Sequence, residues 1–130
     1  MHIAHINSTT KKEQSVAEHC QNVGELCKCF GAKIGIQETA ALVGSLHDFG
    51  KDTKGFEDYL RFSVAHPEDR SRKGEINHSS AGAKYIFENY FEGDNFQRLT
   101  AQLIALAICG HHGGLSDVIG LDGVDDFTIW

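Results

Sequence analysis

The chain has 130 residues, of which 41% are hydrophobic and 23% are charged, a balance that fits one globular domain. Its net charge of −6 makes its surface a poor binder of a phosphate backbone, so any contact with nucleic acid needs a local source of positive charge, such as bound metal ions. The longest apolar run, residues 103–109, is far shorter than the roughly 20 residues of a membrane span. The N-terminus is polar, so we expect a cytoplasmic protein with no signal peptide and no membrane contact.

The first helix is predicted from Ser15, which forms a capping-box pattern with Glu18. Apolar residues then recur at spacings of 4, 3, 4 and 3 residues, and Gly31 is the expected stop. The members of this stripe are Val16, Cys20, Val23, Cys27 and Phe30. His19 lies at the edge of the stripe, so its side chain is expected to face the interior.

Four further helices follow in the predicted order. One covers residues 37–49 and is so apolar that we expect it at the centre of the core. Another is capped by Asp52 or Thr53, a loop then covers residues 63–75, and the last two helices come after residues 77–79 and over residues 96–109. No alternating β pattern is visible before residue 115. The sequence therefore predicts an all-α fold, a helical bundle that forms a single domain over residues 1–130.

Histidines are the unusual feature, because the chain has eight of them. Five of them, together with one carboxylate, interrupt or flank the apolar helices: His19, His47, Asp48, His78, His111 and His112. The ends of helices in a bundle can converge on one cavity. Five imidazoles and one carboxylate are more than a single four-coordinate ion needs, so the set favours two metal ions that share the carboxylate.

The donor types narrow the choice of metal. Nitrogen and oxygen ligands without thiolates argue against structural zinc and suit Mn, Fe, Co, Ni or Zn. Mg stays among the candidate ions, although pure Mg sites prefer oxygen ligands. The other three histidines, His2, His5 and His66, are expected to be ordinary capping or half-exposed residues.

Residues 47–51 read H-D-F-G-K, and with His19 upstream this motif resembles the HD superfamily of metal-dependent phosphohydrolases. Two further motifs, H-S-S-A-G-A at residues 78–83 and G-H-H-G-G at residues 110–114, sharpen the match. In this order and spacing they are similar to the HD nuclease domain of the CRISPR-associated helicase-nuclease of type I systems. The similarity extends over roughly residues 15–115.

This resemblance implies a role for each residue. The first metal would be held by His19, His47 and Asp48. Asp48 would bridge to a second metal held by His78, His111 and His112. Catalysis would depend on Asp48 and on Lys51, which would lie beside the scissile phosphate and offset its developing charge.

The same resemblance implies a substrate and partners. The substrate would be single-stranded DNA, displaced when a guide RNA pairs with its target, and the partners would be a helicase domain or subunit and an RNA-guided surveillance complex. The family closes its first metal site with an Asp further downstream, and the sequence assigns that role to none of Asp117, Asp122, Asp125 and Asp126. We therefore expect the domain to be incomplete at its C-terminal end.

The predicted loop contains a cluster of positive charge, Arg70, Arg72 and Lys73, which is either a solvated surface or a weak contact for the DNA backbone. Two other functions stay open at this stage. One is an HD phosphohydrolase that acts on a nucleotide or cyclic dinucleotide, although no aromatic residue is obviously placed to hold a base. The other is a degenerate HD domain that serves only as an interaction module. The complete histidine set argues against this function, and the missing downstream Asp argues for it.

Overall fold

The computed structural model describes residues 2–114 and is mostly helical, as predicted. Its elements are β1 (Ile3–Ile6), β2 (Glu13–Ser15), α1 (Val16–Gly31), α2 (Gln37–Leu46), α3 (Lys54–Ala65), α4 (Ala81–Tyr90) and α5 (Asn95–Gly110). Short 3-10 helices, Ala32–Ile34 and Phe49–Lys51, follow α1 and α2. Within the described part of the chain, no helix combines the length and the apolar character needed to cross a membrane.

The hairpin of β1 and β2 was not predicted from the sequence. The two strands pair antiparallel, and their register shifts between the pair Ile3 and Ser15 and the pair His5 and Gln14. Strands of four and three residues with a register shift are too short to produce a clear alternating pattern. The Val16 N–H donates to the carbonyl of His2 at 2.9 Å, so the hairpin is attached to the first turn of α1.

Helix α1 begins and ends where the sequence predicted. The Ser15 hydroxyl accepts a hydrogen bond from the Glu18 N–H at 3.1 Å, and the helix ends at Gly31. Helix α2 packs closely against α1, because a Cβ added at Gly44 would lie only 2.8 Å from the Val23 carbonyl oxygen. The close approach of these two helices brings the end of α2 beside the second turn of α1.

Two predicted boundaries were wrong. Helix α2 ends at Leu46 rather than at residue 49, so His47 and Asp48 lie in the turn that follows the helix and not in its last turn. Helix α3 begins after Thr53, whose hydroxyl accepts from the Phe56 N–H at 3.2 Å, and it continues to Ala65, into the predicted loop. Hydrogen bonds to the preceding turn close this extra turn, because the Ser63 hydroxyl donates to the Tyr59 carbonyl oxygen at 3.0 Å and the His66 N–H donates to the Phe62 carbonyl oxygen at 2.9 Å.

The buried core lies between α4 and α5 rather than around α2. Its fully packed members are Ala83, Ile86, Ala101, Ile104, Ala105 and Ile108. From α2, Val43 and Leu46 are only partly buried against this cluster, and Leu42 is 39% exposed. Helix α5 begins with a full capping box between Asp94 and Gln97 and ends at Gly110, directly before the double histidine.

Candidate metal centre

Six predicted ligands come from four separate places in the chain and meet at one point. His19 comes from the first turns of α1, His47 and Asp48 from the turn after α2, His78 from the segment before α4, and His111 and His112 from the end of α5. The Asp48 carboxylate lies at the centre and is only 2% exposed. The structure thus brings together all six residues that the sequence singled out as ligands.

One oxygen of Asp48 has several partners. Its Oδ2 lies 2.9 Å from His19 Nε2, 3.1 Å from His47 Nε2 and 2.8 Å from the ammonium nitrogen of Lys51. Burial acts to raise the pKa of Asp48, but hydrogen bonds from His47 and Lys51 outweigh it, so the pKa lies well below its usual range. Asp48 is therefore ionised at neutral pH.

The other oxygen of Asp48 has no hydrogen-bond partner although it is buried. The nearest nitrogens to Oδ1 are His111 Nε2 at 3.5 Å and His78 Nε2 at 3.7 Å. A buried, ionised oxygen without a partner is costly unless a cation neutralises it. This orphaned oxygen is the first sign that the site fits a metal ion.

Backbone carbonyls fix the tautomers of two ligands. His47 Nδ1 lies 2.7 Å from the Gly44 carbonyl oxygen, and His111 Nδ1 contacts the Ile108 carbonyl oxygen in the same way. Because a carbonyl can only accept, each Nδ1 carries the proton, so Nε2 is the nitrogen that can offer a lone pair when the ring is neutral. Without a metal, the Nε2 of His47 donates to Asp48, which raises the pKa of His47. This arrangement is typical of metal-binding histidines, whose outer nitrogen donates to a carbonyl.

The remaining rings are also suited to metal binding. His78 Nε2 and His112 Nε2 lie 2.9 Å apart, close to the separation of about 3–4 Å expected for two ligands of one ion. Burial lowers the pKa of His19, His78 and His112, so these rings are neutral at pH 7 and offer lone pairs. Ligand atoms of Asp48, His78, His111 and His112 all lie within 4.8 Å of one another.

Comparison with known protein families agrees with this geometry. The HD domain model matches residues 16–122, most of the chain. The chain belongs to the HD domain family. HD domains are metal-dependent phosphohydrolases, and the donor set around Asp48 fits the divalent ions they use. No curated protein and no solved structure matches this HD domain.

Gly50 of the HD motif explains how two parts of the centre are held together. A Cβ added at this glycine would lie 2.3 Å from the carbonyl oxygen of His78 and 2.7 Å from its Cα. The 3-10 helix Phe49–Lys51 can therefore lie against the backbone of His78 only because residue 50 has no side chain. The glycine sets the distance between Asp48 and His78.

Lys51 is the second predicted catalytic residue, and the structure buries it at the centre of the HD domain. Its side chain is 7% exposed, its ammonium contacts Asp48, and it lies 5.4 Å from the centre of the Phe56 ring. The same ring packs edge-on against His78, with 5.1 Å between ring centres. Lys51 is thus a fixed positive charge next to the carboxylate.

The predicted DNA contacts Arg70, Arg72 and Lys73 lie apart from the metal centre. They line a separate cavity of about 260 Å³ together with Tyr59, and Arg72 pairs with Glu75. Within residues 2–114, none of the three forms a hydrogen bond or ion pair with the histidine cluster. Their role as a DNA contact stays a prediction.

The structure also places a histidine that the sequence reasoning set aside. One ring nitrogen of His5 lies within 4.8 Å of ligand atoms of His19 and Asp48. His5 was not predicted to lie near the centre because it belongs to β1, which the sequence did not predict. His2 and His66 have ordinary partners, Glu57 Oε2 and the Phe62 carbonyl oxygen. The four downstream aspartates, Asp117, Asp122, Asp125 and Asp126, lie outside the described residues.

Proposed function

We propose that this HD domain is a metal-dependent endonuclease that cleaves single-stranded DNA in CRISPR interference, together with a helicase partner and an RNA-guided surveillance complex. The observation that carries the proposal is the double histidine after α5. It places His111 and His112 with His78 near the unpaired Oδ1 of Asp48, while a separate set of histidines faces Oδ2. Two donor sets that share one carboxylate suit the two-metal hydrolysis of a phosphodiester.

Each residue has a defined part in this proposal. His19, His47 and Asp48 Oδ2 would hold one ion, and His78, His111, His112 and Asp48 Oδ1 would hold the other. When bound, divalent ions supply an activated water and stabilise the charge on the attacking and leaving oxygens. The carbonyls of Gly44 and Ile108 keep two of the rings in the tautomer that can bind.

Lys51 supplies a positive charge that does not depend on metal. Its ammonium is buried beside Asp48, so it is held in place and poorly screened by water. A fixed charge at this position would offset the negative charge that develops on a phosphate in the transition state. None of these groups reads a base, so we expect weak sequence preference.

The surroundings of the centre favour a flexible strand over a nucleotide. A cavity of about 340 Å³ adjoins His5 and is lined by polar residues such as Asn7, Lys12 and Glu18, with no Phe, Tyr or Trp to stack a base. The net charge of −6 opposes a rigid duplex, whereas a single strand can bend toward an open site. Both features support single-stranded DNA as the substrate.

A circular single strand is the sharpest substrate for the test. It has no ends for an exonuclease and is far too large for a nucleotide pocket. We expect manganese-dependent linearisation of the circle, slower cleavage of duplex DNA, and no cleavage with chelator. Asp48→Ala should abolish the activity, and Asp58→Ala, at an exposed aspartate paired with Lys54, should leave it unchanged.

Other outcomes would replace the proposal. An intact circle beside hydrolysis of a nucleotide or cyclic dinucleotide would assign the HD domain to small-molecule phosphohydrolases. No hydrolysis of any substrate, combined with no metal binding, would make it an interaction module.

A further inference from the structure

We propose that His5 is a ligand of the metal held by His19, His47 and Asp48, so that the β-hairpin completes this half of the centre. The inference rests on the HD domain being metal-dependent but not on DNA being its substrate. His5 lies outside the region that the family model matches, residues 16–122. The hairpin therefore lies outside the part of the chain that the family model matches.

The first observation is distance. Ligand atoms of His5, His19 and Asp48 all lie within 4.8 Å of one another. Bonds of about 2.0–2.6 Å place two ligands of a four-coordinate ion about 3–4 Å apart, so the limit of 4.8 Å leaves His5 within a small shift of bonding distance. His19 Nε2 and Asp48 Oδ2 are already 2.9 Å apart, so His5 approaches two donors that are close enough to share one ion.

The second observation is how the backbone directs His5. The register of the hairpin shifts between Ile3 and His5, and irregularities of this kind turn a side chain away from the direction that strict alternation would give it. His5 pairs with Gln14, next to the Ser15 cap of α1, and His19 lies one turn further along that helix. The shift in register and the attachment of the hairpin to α1 together hold the centre of the His5 ring 4.5 Å from the centre of the His19 ring.

The third observation is the number of donors. His19, His47 and Asp48 give three, and His5 makes four, which is the usual number for a four-coordinate ion. The other half of the centre has the same composition, because His78, His111 and His112 share Asp48. With His5, each ion would receive three imidazoles and one oxygen of the same carboxylate.

A competing role for His5 is to orient His19 through ring packing, since the two rings meet edge to face. His5→Phe separates the two roles, because phenylalanine keeps an aromatic ring and removes both nitrogens. His5→Ala removes ring and nitrogens together. His2→Ala is the matched control, since His2 lies in the same N-terminal segment and bonds Glu57 instead of the centre.

The test measures cobalt binding by equilibrium dialysis, with the cobalt absorption spectrum as a report of the ligand set. We expect the unmodified chain and His2→Ala to bind two ions. His5→Phe and His5→Ala should both lose at least about tenfold in affinity at one site, because even outer-shell partners of metal ligands are worth about 10–100-fold. The spectrum of that site should change in both variants.

Wild-type affinity and spectrum in His5→Phe, combined with a defect in His5→Ala, would reduce His5 to a packing residue and overturn the proposal. Because a change in β1 could disturb folding, a second measurement uses the unmodified chain. Cobalt should protect His5 from acylation by diethyl pyrocarbonate, mapped by mass spectrometry, while His66 stays reactive. An equal rate at His5 with and without cobalt would contradict the proposal.

The two proposals can fail separately. Two ions bound with His5 involved, but a circular single strand left intact, would keep His5 as a ligand and refute the DNA substrate. Cleavage of the circle, with cobalt binding unchanged in both His5 variants, would support the DNA substrate and refute His5 as a ligand.

Discussion

Asp48 is the residue on which the centre depends, because its two oxygens face different sets of nitrogens. It is also the counter-ion of Lys51, which is 6% exposed. Removing the carboxylate therefore has two effects, one on metal binding and one on a buried charge.

We predict that Asp48→Ala abolishes hydrolysis and metal binding, keeps the helical fold, and lowers the free energy of unfolding by about 3–5 kcal/mol, because Lys51 is left buried without its partner. Urea unfolding in the presence of chelator measures this cost. Adding Lys51→Met to Asp48→Ala should restore most of the stability and none of the activity. A single variant as stable as the unmodified chain would contradict the buried pair.

At the scale of elements, the centre depends on how closely short segments approach one another. We predict that Gly50→Ala forces the 3-10 helix and the His78 backbone apart, since the new Cβ would otherwise lie 2.3 Å from the His78 carbonyl oxygen. Overpacking of this kind costs about 1–3 kcal/mol. Displacing His78 should also weaken the binding of the ion near Asp48 Oδ1, and equilibrium dialysis with cobalt would measure this loss.

Gly55→Ala is the matched control for this prediction. Its Cβ would meet only Ile76 Cδ1 at 3.7 Å, an ordinary contact, and the residue lies in α3. Alanine in a helix should raise the free energy of unfolding by about 0.4–1 kcal/mol with unchanged metal binding. Equal behaviour of the two variants would show that the approach at Gly50 does not position His78.

The elements differ in how far the sequence predicted them. Helix α1 was predicted to the residue, because Ser15 supplies a local cap and the apolar stripe spans four turns. The β-hairpin was missed because strands of four and three residues with a shift in register are too short to show an alternating pattern. The central role expected of α2 was wrong because the fully buried side chains come from α4 and α5, whereas Val43 and Leu46 of α2 are only partly buried against them.

Apart from His5, the side chains that cluster around Asp48 were all singled out in the sequence, whereas the packing that brings them together was not. Chemistry limits which residues bind metal, so His47, Asp48 and the double histidine were visible in sequence before their distances were known. What the sequence could not give is which oxygen of Asp48 each histidine faces, or that His5 approaches His19. Both depend on how α1, α5 and the hairpin pack.

At the scale of the whole molecule, the cluster of neutral histidines makes stability depend on pH. The pKa is lowered, mainly by burial, for four histidines: His5, His19, His78 and His112. Their ordinary pKa in an unfolded chain is about 6.5. Between that value and their lower folded pKa, the unfolded chain binds more protons, so stability falls as the pH falls.

His47 and Asp48 affect the pH dependence of stability differently from these four histidines. The pKa of His47 is raised, first by its hydrogen bond with Asp48, so His47 contributes stability below its unfolded pKa that is lost as the pH rises through its folded value. The lowered pKa of Asp48 contributes stability that is lost only on acidification below its ordinary range, about 4. Between pH 7.5 and 5, the four histidines with a lowered pKa outweigh His47, so the free energy of unfolding falls as the pH falls.

We therefore predict that, in chelator and at constant ionic strength, the urea midpoint of unfolding falls when the pH is lowered from 7.5 to 5.5. Saturating manganese should raise the midpoint at pH 7.5 and have little effect at pH 5.5, because protons and metal compete for the same nitrogens. His78→Gln removes one of the titrating rings, so the urea midpoint of this variant should depend less steeply on pH than that of the unmodified chain. His66→Ala is the control, because His66 lies outside the cluster and its loss should leave the pH dependence of the midpoint unchanged. A midpoint that rises on acidification would mean that the clustered histidines are charged in the folded protein, and the centre would then repel the ions that its geometry fits.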